Sequence, residues 1–192
     1  MDSFVQWELS VLHALQDLST PFWDKFWTVI TLLGESGIFW IVLSLVLMIP
    51  KKTRRAGFSM GIALMLGLIF CNLTVKPLVA RIRPYDLDPS LTVKLAWVGK
   101  PTDFSFPSGH TTAAFEGAFS LFLRHRKWGV AAIVAAVLVG FSRLFLSVHY
   151  PSDVLCGAIL GTAFAFLAAR IVDEIWKRVA ARYHAKHPTP ES

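Results

Sequence analysis

From Ala56 to Val75 the chain runs for twenty residues without a charge. A stretch of that length and polarity spans the roughly 30 Å hydrocarbon core of a bilayer as an α-helix. Further apolar runs cover Ser36–Pro50, Trp128–Ser142 and Val154–Ala169, and Phe115–Leu123 lengthens backward through His110–Ala114. The runs predict spans at 28–49, 56–76, 110–123, 128–146 and 154–176. Composition agrees: 54% of the 192 residues are hydrophobic and only 17% charged, against about 25% charged in an ordinary soluble domain. Disorder, a collagen-like chain and a disulfide scaffold are excluded. Cys71 and Cys156 both lie in apolar runs and read as small buried hydrophobes.

The expected fold is therefore all-α, a polytopic membrane bundle of five to six transmembrane helices. Residues 1–20 form a separate N-terminal segment. There Val5, Leu9, Leu12 and Leu15 repeat at helical spacing, with Asp2, Glu8 and Asp17 off that stripe. Residues 3–18 read as an interfacial amphipathic helix, with a short sixth span as the alternative. The start is acidic and lacks a signal-peptide pattern. Residues 21–180 form the membrane domain and 181–192 a polar tail. Trp23, Trp27 and Trp40 fit an aromatic belt.

The formal net charge of +6 is clustered. Lys51, Lys52, Arg54 and Arg55 fill one connection, Arg124, Arg126 and Lys127 another, and Lys177, Arg178 and Arg182 follow the last span. With the spans above, all three clusters fall on one side, the cytoplasmic side by the positive-inside rule. This arrangement suits a multi-pass membrane protein and not a nucleic-acid binder. The 77–109 loop and the Ser147–Asp153 turn then face the extracytoplasmic side.

Ionisable groups near membrane spans are costly and suggest function, and here they gather on that second side. Lys76 and Arg83 end the second span, Ser108, Gly109 and His110 open the third, Arg143 ends the fourth, and His149 and Asp153 lie at the turn into the fifth. Three cations suit a dianionic group, the arginines through planar forks matched to phosphate oxygens. The amides of a helix start at Ser108-Gly109-His110 favour an anion, and Gly109 permits close backbone approach. The two histidines divide a two-step phosphoryl transfer. His149 attacks phosphorus while Asp153, four residues on, holds its other ring nitrogen. His110 protonates the leaving oxygen and then activates water.

At these residues the chain resembles the type 2 phosphatidic acid phosphatase superfamily. Lys76, six further residues and Arg83-Pro84 match its first signature; Pro107-Ser108-Gly109-His110 match the second. Ser142-Arg143, His149 and Asp153, with gaps of five and three, match the third. The resemblance spans 76–153 without a departure at any motif position. It implies an all-helical core and a metal-independent phosphatase needing no cofactor. In that reading His149 is the nucleophile, Asp153 its orienting partner and His110 the acid/base, with Lys76, Arg83, Ser108, Gly109 and Arg143 binding phosphate. The short chain resembles bacterial members, some of which release phosphate from undecaprenyl pyrophosphate on the outer face of the membrane. That diphosphate is the leading substrate; phosphatidic acid or phosphatidylglycerophosphate is the alternative. A non-hydrolytic lipid-phosphate carrier and a phosphotransferase acting on alcohols are readings of other kinds. Oligomeric state is not legible.

Four further features have open roles. Arg81 either contacts phosphate or serves the interface. Glu116 lies about 240° around a helix from His110 and is expected in a buried polar pair. Asp103 is expected to brace the loop before Phe104. Tyr85, Trp97, Phe104 and Phe106 either line a headgroup pocket or simply pack.

Overall fold

A computed structural model describes residues 2–93 and 100–186, except for the side chains of Ser36, His184 and Lys186. Among these residues all regular structure is helical: α1 (Ser3–Gln16), α2 (Pro21–Leu32), α3 (Ile38–Met48), α4 (Arg54–Gly67), α5 (Lys76–Val79), α6 (Pro84–Leu87), α7 (Gly109–Phe122), α8 (Arg126–Phe145) and α9 (Pro151–Lys186). A π-helical segment, Leu68–Val75, joins α4 to α5. Three stretches, Arg54–Leu87, Arg126–Phe145 and Pro151–Tyr183, are long and apolar enough to cross a membrane.

One expected span is broken, while the span expected at 110–123 keeps its fourteen residues, shifted by one. The helix expected over 28–49 is broken: α2 ends at Leu32, a 3-10 turn covers Glu35–Gly37, and α3 has eleven residues. Gly37 sits at φ 68°, a left-handed conformation that costs a side-chain-bearing residue about 1–2 kcal/mol. The break turns Glu35 toward the start of α7. Helix α7 itself has fourteen residues, about 21 Å of rise, less than a bilayer core. It is instead the central helix, packed against α4, α8 and α9. Small residues allow this closeness. A Cβ at Gly157 of α9 would lie 2.8 Å from the Ser108 carbonyl oxygen, and the Trp40 ring of α3 fills the space over Gly117. Trp40, expected in an aromatic belt, is only 1% exposed and belongs to the core with Met60, Ala114, Ala118 and Val139.

Local chemistry sets several ends. Thr20 caps α2, its Oγ1 accepting from the Trp23 amide at 3.3 Å, with Pro21 at the first helical position. Asp153 reaches back from the first turn of α9 to accept the Tyr150 amide at 3.0 Å, half of a capping box. In the π segment the Lys76 amide donates to the Cys71 carbonyl, one residue beyond α-helical register. Pro77 supplies no amide to the following turn. Helix α9 runs through Lys186, so the expected polar tail at 181–192 begins in helix; residues 187–192 lie outside the described ones.

Helix α1, at fourteen residues, is too short to cross a bilayer. It lies on the end of the bundle where Tyr85, Leu146, Val148 and Tyr150 cluster around its Leu9 and Leu12. At the opposite end Arg124 pairs with Asp173 at 2.8 Å, and Arg55 lies 5.8 Å from the Trp176 ring. The basic clusters thus gather away from α1.

Candidate active site

The α1 end of the bundle holds every residue expected to carry chemistry. Three connections and the helix ends beside them deliver these residues: the α5–α6 turn, the loop before α7 and the α8–α9 turn. Two of these connections use left-handed residues other than glycine, Ala80 at φ 49° before Arg81 and Ser147 at φ 56° before His149. Such residues carry strain that surrounding structure must hold.

His149 is 1% exposed. Its Nδ1 faces Asp153 Oδ2 at 3.4 Å, and its Nε2 lies 3.4 Å from Arg83 Nη1. Arginine only donates and a carboxylate only accepts, so these partners put the ring proton on Nδ1 and leave Nε2 unprotonated, its lone pair facing Arg83 on the cavity side. Burial pushes the imidazole down to about 3; the charges of Arg83 and Arg143 add to this and Asp153 opposes it. At neutral pH the ring is uncharged, the form a nucleophile needs. Asp153, with no exposed surface, has its Oδ2 held by the Tyr150 amide and by the Ser105 hydroxyl.

The three cations gather around the same cavity. Lys76 Nζ and Arg83 Nη2 each contact one oxygen of Asp103 at 2.5 Å, and Arg83 Nη1 also donates to the Val148 carbonyl at 2.7 Å. Arg143 is buried, donates Nη1 to Thr31 of α2, and has no protein partner at Nε. Asp103 does more than brace its loop: it lays a carboxylate across two cations read as phosphate ligands. Burial alone would push its carboxyl up, but the hydrogen bonds and charges of Lys76 and Arg83 outweigh this and hold it at about 2.

His110, in the first turn of α7, points Nε2 at Glu35 Oε2, 3.2 Å away. Glu35 was not foreseen as a site residue. Its signal was an acidic residue beside two glycines between apolar runs. Gly109 lines the same cavity, and a Cβ there would meet Asn72 Oδ1 at 2.9 Å. Ser108 is fully buried behind them, its Oγ accepting from Thr111 Oγ1 at 3.0 Å. Ser105 and Asn72 are the other residues the sequence reading missed.

Arg81 turns away from the cations; it pairs with Glu8 and Asp153. Glu116 is buried as foreseen, with its carboxyl against Gly67 and its Oε1 without a hydrogen-bond partner. Tyr85 donates to the Pro101 carbonyl at 2.6 Å and packs under α1, while Phe104 is exposed. Trp97 lies outside the described residues.

Lys76, Arg83, His110, Arg143 and His149 open into a single cavity of about 800 Å³. From them it runs between α3 and α4, past Ile41, Leu45, Leu64 and Met65 to Met48. One end holds the cations and the rest is mostly apolar, broken by Ser44, Asn72, Thr112 and Glu116, a shape matched to an anionic head on a hydrocarbon tail.

The model of the PAP2 superfamily matches residues 54–177. The chain belongs to the PAP2 superfamily. Among PAP2 proteins it is 35% identical over 134 residues to an undecaprenyl-diphosphatase of Sulfolobus acidocaldarius, covering 69% of this chain and 63% of that protein. It is 27% identical to a lipid A 4'-phosphatase of Bacteroides thetaiotaomicron over 95% of this chain and 83% of that one. The crystal structure of a transmembrane PAP2-type phosphatidylglycerolphosphate phosphatase from Bacillus subtilis superposes with a TM-score of 0.73 at 28% identity, covering 91% of this chain and 89% of that one. The PAP2 match includes the three signatures and excludes α1, α2 and α3.

Proposed function

We propose that this PAP2 protein is an integral-membrane lipid phosphatase working through a phosphohistidine. Its leading substrate is undecaprenyl pyrophosphate, converted to undecaprenyl phosphate. The observation that carries the reading is His149, with Nε2 unprotonated beside Arg83 and Nδ1 against Asp153, at the cationic end of a cavity whose far part is mostly apolar.

The terminal phosphate takes over the contacts that Asp103 makes with Lys76 and Arg83, with Arg143 and the first amides of α7 around it. His149 Nε2 attacks phosphorus and the bond to the leaving oxygen breaks. His110 donates its proton to that oxygen. Water then attacks the phosphohistidine, His110 takes the proton, and the P–N bond breaks to free phosphate and neutral His149. Asp153 balances the positive charge on the imidazole during the intermediate. Lys76, Arg83 and Arg143 stabilise the equatorial oxygens.

The diphosphate reading draws support from the undecaprenyl-diphosphatase relative and from the long apolar cavity. The glycerolipid reading draws support from the Bacillus subtilis structure. The test is phosphate release by detergent-purified protein with excess chelator, comparing undecaprenyl pyrophosphate, phosphatidic acid and phosphatidylglycerophosphate, with His149→Ala as control. The expected result is release by the wild type only, fastest from the diphosphate. Preference for a glycerolipid rejects the first substrate, and release from none rejects the phosphatase.

A further inference from the structure

Glu8 has no exposed surface, although its helix was read from sequence as amphipathic with Glu8 off the apolar stripe. An unpaired carboxylate there would be costly, so its partners matter. Oε2 accepts from Arg81 Nη2, and Oε1 accepts from the Ser152 amide at 2.9 Å and the Ser152 hydroxyl at 2.6 Å. The other arm of Arg81, Nη1, donates to Asp153 Oδ1 at 2.5 Å and Ser152 Oγ at 2.7 Å. The guanidinium lies 3.8 Å from the Tyr150 ring centroid, which fixes its plane.

One guanidinium is therefore shared by two fully buried carboxylates. An Arg81–Asp153 pair alone would neutralise the charge that His149 needs beside it. Glu8 draws part of the arginine's charge to itself, leaving the cluster of three with one net negative charge. The geometry has the same effect: Arg81 holds Oδ1, so Oδ2 faces His149 Nδ1. We propose that Glu8 and Arg81 are positioning residues for the histidine nucleophile, and that α1, outside the matched PAP2 core, completes the site by supplying Glu8. The inference rests on His149 being that nucleophile.

The test measures kcat, KM, competitive inhibition by inorganic phosphate and thermal unfolding of the detergent-purified full chain. Glu8→Gln keeps an acceptor for Ser152 but sets an amide against Arg81. Its kcat falls about 10–100-fold, the range for losing an orienting partner, while KM and the phosphate Ki stay within about twofold. Glu8→Asp, which keeps the charge, recovers part of that loss. If Glu8→Gln does not fold, the Glu8→Gln/Arg81→Gln double variant carries the test: its two amides can pair, and Asp153, without its arginine, keeps the Tyr150 amide and the Ser105 hydroxyl. It loses no more kcat than Arg81→Gln alone, as expected when one residue acts through the other. A Glu8→Gln kcat within twofold of wild type overturns the proposal. So does a fall in kcat matched by a rise in KM and Ki together with a lower melting temperature, which marks a purely structural role. Release by His149→Ala overturns the nucleophile reading itself, and that result is separable because it does not depend on Glu8.

Discussion

At the residue scale, roles divide by what each group does for the phosphoryl group. His149→Ala leaves no nucleophile and is expected to abolish turnover. Lys76→Ala removes one cation from the transition state and is expected to lower kcat about 10²–10³-fold. Near-normal phosphate release by His149→Ala would sink the mechanism. Asp103 competes for the cations that phosphate must reach, so Asp103→Asn is expected to lower the Ki of inorganic phosphate several-fold; an unchanged Ki would show that the carboxylate does not compete. His149 also links pH to stability. Its folded value, about 3, lies below the ordinary 6.5, so between these pH values the unfolded chain binds the extra proton. Stability from this group is complete above pH 6.5 and is lost as pH falls toward 3. Melting temperature in detergent is expected to drop over that window, and less steeply in His149→Ala; equal slopes would refute the link. The motif residues were legible because their chemistry is carried by type and spacing alone. Glu35, Asn72 and Ser105 were not, since each reaches the site through a turn or a widened helix that leaves no periodic trace. Glu8 left a weak trace: it stands four residues before Leu12, on the buried face.

At the element scale, hydrophobic runs located the helices but not their interruptions. The run through Thr28–Pro50 reads as one span, and only Gly34 and Gly37 mark the break that carries Glu35 to His110. Helix α7 escapes the bilayer length rule because it is enclosed by other helices. The turn after α8 makes a separate prediction. Ser147 holds a left-handed conformation at φ 56°, and its buried hydroxyl has no hydrogen-bond partner. Glycine relieves the backbone cost of about 1–2 kcal/mol and gives back part of it through a freer unfolded chain. Ser147→Gly is therefore expected to stabilise the protein by about 0.5–1 kcal/mol, and Ser147→Val to destabilise it. A denaturant melt in mild detergent measures both. A less stable Ser147→Gly would mean that the hydroxyl contributes more than the strain costs.

At the scale of the whole molecule, charge separates the two ends. Arg55 and Arg124 lie near Trp176 and Asp173 at one end, while Lys76, His110, His149 and α1 lie at the other. The positive-inside rule turns this polarity into a prediction of orientation: the basic end is expected in the cytoplasm and the site outside. Outward placement would matter for substrate, because a carrier-lipid diphosphate on the outer leaflet would meet the site there without crossing the membrane. The prediction uses single cysteines in a Cys71→Ala/Cys156→Ala background, since both native cysteines are free thiols. Ser90→Cys, exposed beside α6, is expected to react with a membrane-impermeant thiol reagent in intact cells. Lys52→Cys, exposed before α4, is expected to react only after the cells are opened. The reverse pattern would put His149 in the cytoplasm, remove the reason for preferring the carrier-lipid diphosphate, and favour a phosphorylated lipid presented on the inner leaflet.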